Sequence, residues 1–209
     1  MHTIEHRLSG DNLKKAALQD IVAGVLFDSV SDVVFHGGTC VWRCYNGRRF
    51  SKDMDVYIRN KSSIRKVLNR LIQEGLKVRL ESERKMLFYT VSNSADISLQ
   101  IKVAKASGVV VPYELIDGTK MSSYALSASD IVLEKIAAYT DRRLERDIYD
   151  IMVLLNSVPD KDMVRKELGR FAGGIAAPRD SGALKGLIYE GIVPTFPQMV
   201  RFMRDWCSA

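Results

Sequence analysis

Two carboxylates, Asp53 and Asp55, stand two residues apart in the run Arg49-Phe50-Ser51-Lys52-Asp53-Met54-Asp55. On an extended strand, residues two apart project from the same face. With no basic residue between them, two carboxylates on one face repel unless a cation joins them. Mg2+ takes oxygen ligands and is commonly held by one or two carboxylates together with substrate phosphates. Upstream lies Phe35-His36-Gly37-Gly38-Thr39. A glycine pair between a strand and a helix lets the backbone approach a ligand closely. The helix that follows aims free N–H groups and a positive dipole end at the same place, which suits phosphate. An isolated Asp-x-Asp is most often a solvated strand end, and an isolated Gly-Gly a turn. Strand, Gly-Gly, helix and Asp-x-Asp strand in that order make a candidate site for a nucleotide phosphate and a divalent cation.

A second group lies further along. Lys135 has Ile131, Val132, Ala138 and Tyr139 at three and four residues on either side, so on a helix it is surrounded by apolar neighbours. Such a lysine is partly buried and needs an anion. It either runs its stem along the apolar surface or aims its charge at phosphate. Ser127-x-x-Asp130 reads as a capping box, which gives Asp130 a structural role. Leu144, Ile148, Ile151 and Leu155 form the packed stripe of the next helix. Asp147 sits at its edge, where it can pair with Arg143 one turn earlier. By spacing alone this run, with Tyr149 and Asp150, reads as a solvated helix face beside a core stripe.

The elements that must position these residues follow from periodicity. Residues near 11–28 read as an amphipathic helix, through Leu18, Ile21, Val22 and Val25. Val33-Val34-Phe35 reads as a buried strand, Thr39 to Tyr45 as a short helix, and Met54 to Ile58 as a strand with unlike faces. Residues 62–74 read as a helix ended by Gly75, and 76–115 as short β runs: Lys77 to Leu80, Met86 to Val91, Ile97 to Val103 and Val109 to Leu115. From Ser129 to about Asn156 the period is helical. Pro159, Gly173-Gly174, Pro178 and Pro194 punctuate a less regular tail with short helices. The expected fold class is α/β (α+β), a mixed sheet with flanking helices over residues 1–120, followed by a helical C-terminal region over 121–209, with a soft boundary near 118–128.

At 209 residues, with 46% apolar and 27% charged residues, the composition is that of an ordinary globular protein. The formal charge of +6 favours anionic partners such as nucleotides or nucleic acid. The segment MHTIEHRLSGDN lacks the apolar core of a signal peptide, and the run Ile21 to Phe27 is too short to span a bilayer. A cytoplasmic location without membrane contact is expected, and Cys40, Cys44 and Cys207 read as reduced thiols.

Gly37-Gly38-Thr39, Arg49-Phe50-Ser51-x-Asp53-Met54-Asp55, Lys135-Ile136-Ala137-Ala138, and Arg142 through Arg146-Asp147-Ile148-Tyr149-Asp150 resemble, in order, the motifs of the AbiEii nucleotidyltransferase toxins, a group that includes the MenT toxins. The resemblance runs from about residue 30 to 155. It implies a polymerase-β-like nucleotidyltransferase fold, an NTP substrate and Mg2+. It also implies a toxin of a toxin–antitoxin or phage-defence system, with an antitoxin as a partner. Carried over, Gly37, Gly38 and Thr39 cradle phosphates, Asp53 and Asp55 hold metal, and Arg49 and Ser51 reach the triphosphate. Lys135 corresponds to the family's essential lysine and Asp147 to the acid of its Arg-Asp motif. Nucleotidyltransferases of this fold commonly carry a third acid on a later strand. Here that strand reads ISLQIKVAK, with Ala104 at the expected position and Asp96 at the strand's start. Lys102 on the same strand reads as a strand-edge charge, with a phosphate contact as the alternative.

The reaction expected from these readings is transfer of NMP from an NTP to a hydroxyl, an RNA (tRNA) 3′ end. The rivals are NMP or phosphate transfer to a protein such as an antitoxin, an inactive nucleotide-binding module, and a helical DNA-binding protein.

Overall fold

The alternation of Met54, Val56 and Ile58 with Asp53, Asp55 and Tyr57 makes a strand whose two faces differ sharply in burial. The computed structural model of the chain describes residues 3–209. The sequence reading of the N-terminal segment begins on Met1 and His2, which lie outside the described residues. The chain divides into two units. One comprises residues up to Cys44 with Phe50–Leu126, the other Tyr45–Arg49 with Ser127–Ala209.

In the first unit a short helix α1 (Ile4–Arg7) and a long helix α2 (Gly10–Ser29) precede strand β1 (Val33–His36), helix α3 (Gly37–Cys44) and strand β2 (Asp53–Ile58). Helix α4 (Lys61–Gln73) follows, then β3 (Lys77–Glu83), β4 (Leu87–Ser92), β5 (Asp96–Val103), β6 (Val109–Glu114) and β7 (Lys120–Ala125). The strands form one seven-stranded mixed sheet in the order β3-β4-β5-β2-β1-β7-β6. β2 lies between β1, to which it is antiparallel, and β5, to which it is parallel. Directly paired residues share a face. Met54, Val56 and Ile58 therefore lie with Leu99 and Ile101, and all five are buried. α2 and α4 pack on this apolar face, α2 through an edge-on contact of Phe27 with Phe35 at 6.1 Å between centroids. The other face carries Asp53, Asp55 and Tyr57 beside Ser98, Gln100 and Lys102, all half-buried or exposed.

A buried arginine joins three elements of this unit. Arg43 of α3 donates to Asp20 Oδ1 at 2.8 Å and the Ala16 carbonyl at 2.8 Å on α2, and to the Glu114 carbonyl at 3.0 Å on β6. Its guanidinium lies 4.2 Å from the centre of the Trp42 ring and 5.2 Å from that of Tyr113. Burial pushes the Asp20 carboxyl upward, with Arg43 opposing the shift.

The second unit is helical: α5 (Ala128–Arg142), α6 (Glu145–Leu154), α7 (Asp162–Gly174) and α8 (Phe196–Ser208), with single 3-10 turns at Leu155–Ser157 and Ala183–Gly186. Ser127 caps α5, its hydroxyl oxygen accepting from the Asp130 N–H at 3.1 Å, as the capping-box reading expects. α5 stops because Arg143 takes a left-handed conformation, φ +52°. α6 then starts with the Glu145 N–H donating to Asp180 at 2.7 Å. Thr195 and Gln198 form a capping box for α8. The Trp206 indole N–H donates to the Leu155 carbonyl at 3.1 Å.

Two features depart from the sequence reading. β7, KMSSYA, has no apolar alternation strong enough to mark a strand, yet it pairs with β6 throughout and with β1 at Phe35. The sheet therefore continues to residue 125, within the soft boundary of 118–128. Residues 45–49 leave the first unit between α3 and β2 and join the helical one, where Arg49 bridges Ile188 and the Tyr189 N–H donates to the Arg48 carbonyl at 3.1 Å.

Arg43→Leu is expected to lower the free energy of unfolding by about 1–3 kcal/mol, because it leaves the half-buried Asp20 carboxylate only its bonds from the Ile116 N–H and the Tyr113 hydroxyl. The Arg43→Leu/Asp20→Asn pair should recover part of that loss in urea denaturation. A single variant as stable as the parent would show that the arginine does not anchor the unit.

Candidate functional site

β1 runs into α3 without a loop, and the turn between them is made by Gly37 at φ +75°, a conformation costly for other residues. Because His36 pairs with Asp55 across β1 and β2, the next residue, Gly37, arrives beside the Asp55 side chain. A Cβ built at Gly37 would run into the Asp55 carboxylate. The glycine turn and the acid strand are thus in van der Waals contact, which only a residue without a side chain permits.

Thr39 fastens the same two pieces from inside. Fully buried, it donates its hydroxyl toward the Asp53 carbonyl at 2.5 Å and the Ser51 carbonyl at 3.1 Å. Gln19 of α2 donates to the Ser51 carbonyl at 2.8 Å. The Thr39 hydroxyl, assigned to phosphate by resemblance, is therefore used within the fold, and Ser51 takes part through its backbone. Asp53 and Asp55 both project, half-buried, from the open face of the sheet. Beside His36, the Tyr57 ring stacks at 4.0 Å and 8°, and Lys102 Nζ stands 5.5 Å from the Tyr57 ring centre. Lys102 is exposed on this acid-bearing face of an interior strand.

Ala104, where the motif order expects a third acid, follows the last residue of β5, Val103. Ser98 pairs with Asp53 and Gln100 with Asp55 on β5, and both are neutral. Asp96 lies at the strand's start, paired with Ser92. Among the described residues no group of three or more Asp, Glu, His or Cys side chains is placed to hold a metal. A polar groove of about 630 Å3 adjoins Asp53 and Lys52 and runs toward the β4–β5 turn at Asn93 and Ser94.

In the helical unit, Arg49, Lys135 and Asp147 come together, with Asp150 as the hub. Arg49 forks onto Asp150, Nε to Oδ1 at 2.6 Å and a terminal nitrogen to Oδ2 at 2.5 Å. Lys135 Nζ lies 2.6 Å from Asp150 Oδ2 and 3.4 Å from Asp147 Oδ1. Arg142 closes the chain with two bonds to Asp147, at 2.8 and 2.7 Å. Both aspartates are fully buried. Burial alone would raise the Asp150 pKa, but Arg49 and then Lys135 hold it below the ordinary carboxylate range. Burial would likewise lower Arg49, and Asp150 reverses that.

Three sequence readings are corrected here. The α6 run is no solvated face: Asp147, Asp150 and Glu145 are all buried. Asp147 pairs with Arg142 rather than Arg143, because Arg143 turns left-handed and ends the helix. Lys135 neither snorkels nor stands free, but is enclosed by two carboxylates. Asp150 had no assigned role, since its main partner lies 101 residues away in sequence.

A mixed sheet with an Asp-x-Asp strand beside a glycine turn places the chain in the nucleotidyltransferase fold. Two solved structures share it. A candidate nucleotidyltransferase from H. pylori is 15% identical with a TM-score of 0.67, over 96% of this chain and 95% of that one. JHP933 from Helicobacter pylori is 16% identical with a TM-score of 0.65, over 96% and 92%. No curated protein matches the chain. The chain belongs to the nucleotidyl transferase AbiEii toxin family, of the type IV toxin–antitoxin system, whose family model matches residues 17–180. It is therefore a nucleotidyltransferase enzyme. Among the described residues no helix is long and apolar enough to cross a membrane.

Asp150→Asn leaves Arg49 and Lys135 without their counter-charge and should cost about 3–5 kcal/mol at pH 7. A depressed carboxyl contributes stability above its unfolded pKa of about 3.9 and loses it as pH falls through the lower folded value. The stability difference between the parent and Asp150→Asn should therefore be constant above about pH 5 and shrink below about pH 4. A difference that widens on acidification would overturn this assignment.

Proposed function

We propose that this enzyme transfers NMP from an NTP to the 3′ hydroxyl of an RNA, a tRNA in the first instance, with Mg2+ held by Asp53 and Asp55. The observation that carries the proposal is the contact between Gly37 and the Asp55 carboxylate. It puts the N-terminal end of α3 beside two carboxylates on one half-buried strand face. Two acids with room for phosphate oxygens suit Mg2+, which keeps several positions for water and substrate. When bound, the ion supplies positive charge that polarises the phosphates and lowers the barrier to displacement.

The chain's own residues do the rest of the work. Gly37 and Gly38 keep side chains away from the phosphates, and the first N–H groups of α3 donate to them. Thr39 and Ser51 hold the acid strand in register with that turn. In the helical unit Lys135, which corresponds to the family's essential lysine, has its position set by Asp150 and Asp147. Arg49 is aligned by Asp150, and Asp147 fixes Arg142. Basic side chains, with Arg48, Arg142, Arg143 and Arg146 as candidates, guide the RNA backbone. The overall charge of +6 supports a polyanionic acceptor. The antitoxin that the family implies is the second partner.

Asp53→Asn and Asp55→Asn should each reduce Mg2+-dependent transfer by about a hundredfold or more, since metal-borne stabilisation is worth several kcal/mol. Circular dichroism should be unchanged. Gly37→Ala should also lose activity, because its methyl needs the space of the Asp55 carboxylate. An Asp55→Asn protein that transfers at the parent's rate would sink the metal assignment.

The acceptor is tested separately. Each labelled NTP is incubated with Mg2+, total tRNA and the protein fraction of the same cells. Label at RNA 3′ ends is expected and should disappear with Asp55→Asn. Label in protein alone rejects the RNA acceptor while leaving the metal site in place. Nucleotide binding with no transfer to either makes the chain a binding module, consistent with neutral Ser98 and Gln100 beside the two acids.

A further inference from the structure

The apolar face of the sheet is not fully covered at its β3–β4 end. Between α4 and the turn joining β3 to β4 lies a groove of about 410 Å3. Ile64 and Leu68 of α4, Met86 and Leu87 of the hairpin, and Val103 of β5 give it an aliphatic lining. Val103 is 43% exposed, and Leu80 on neighbouring β3, paired with Tyr89 on the same face, is 48% exposed, so the apolar strip extends beyond the groove.

Four cations stand around it: Lys61 and Arg65 from α4, and Arg84 and Lys85 from the turn. Among the described residues, none of these four side chains has a carboxylate within ion-pair distance. Elsewhere on the surface, exposed arginines do find acids, as Arg70 does with Glu74 and Arg79 with Glu81. Glu83 is the one carboxylate lining the groove. The groove lies on the opposite face of the sheet from Asp53 and Asp55, so substrate phosphates at that pair do not answer these charges.

We infer that this groove docks an acidic amphipathic helix of a protein partner. Its size suits a few aliphatic side chains, the usual anchors of a helix laid in a groove at i, i+3, i+4 and i+7. The unpaired cations complement carboxylates on the flanks of such a helix, which sets orientation and partner choice. Single-stranded RNA is a poorer fit, because bases stack on exposed aromatic rings. Among the described residues lining it the one aromatic ring, Tyr89, is buried. Methionine at the rim accommodates varied apolar shapes.

The test uses the full chain and a fluorescein-labelled synthetic helix of about five turns, ~18 residues, with leucines at i, i+3, i+4 and i+7 and glutamates elsewhere. Fluorescence anisotropy compares it with the same peptide carrying lysines for glutamates, and with an oligouridylate. The acidic peptide should bind at least about tenfold more tightly than the basic one. The Arg65→Glu/Arg84→Glu/Lys85→Glu protein should reverse that preference, with thermal melting checked against the parent. Met86→Ser should weaken the acidic peptide without restoring the basic one. An acidic peptide that fails to bind, shows no preference over its lysine counterpart, binds the charge-reversed protein equally well, or is displaced by oligouridylate overturns the inference.

Discussion

The closeness of Gly37 to the Asp55 carboxylate is the constraint on which the acid-bearing face depends. It requires several things at once. The turn must be left-handed, which a glycine allows at no steric cost. β1 and β2 must keep the register that puts His36 opposite Asp55. A slip of one residue would turn both aspartates into the apolar face and Met54 out of it. Thr39 guards the register from within, since its hydroxyl reaches the Asp53 and Ser51 carbonyls only when α3 and β2 are correctly aligned. Arg43 ties the far end of the same helix to α2 and β6. One short helix is thus held at both ends, and its first turn is fixed against the acids.

The helical unit solves a different problem. Four charged side chains, Arg49, Lys135, Asp147 and Asp150, are almost wholly withdrawn from water. Removing ions from water costs several kcal/mol each, and pairing returns it only when geometry and hydrogen bonding are good. Here the geometry is good: a two-pronged Arg49–Asp150 pair, a lysine between two carboxylates, and a second two-pronged pair at Arg142. The net result fixes the conformation more than it adds stability, because any misplacement leaves a buried charge unmatched. The same network also fastens residues 45–49, which lie in sequence between the glycine turn and the acid strand, onto the helical unit.

How much of this was legible in the sequence depended on the range of the interaction. Local patterns were readable: the period-two alternation of β2, the glycine pair, the Ser127 cap, and the helical periods of α2, α4 and α5. β7 was not, because KMSSYA is defined by its pairing with β6 and β1 rather than by its own alternation. Asp147 and Asp150 look like surface acids in a helix rich in charge. Their burial follows from Arg49, about a hundred residues earlier, and from the break at Arg143, which no glycine or proline announces. The order of motifs carried what spacing alone did not, the family to which the chain belongs.

The neutral partners on β5 give the acid face its character. A third carboxylate beside Asp53 and Asp55 would strengthen the hold on a cation, but it would also raise the repulsion among acids when the cation is absent. With Ser98 and Gln100 in those positions, the register supplies hydrogen-bonding groups without further charge. A divalent ion held by two carboxylates keeps more of its positions for phosphate oxygens and water than one held by three. On the proposed reading, the substrate would contribute a larger share of the ligands, and metal and NTP affinity would be coupled at this face.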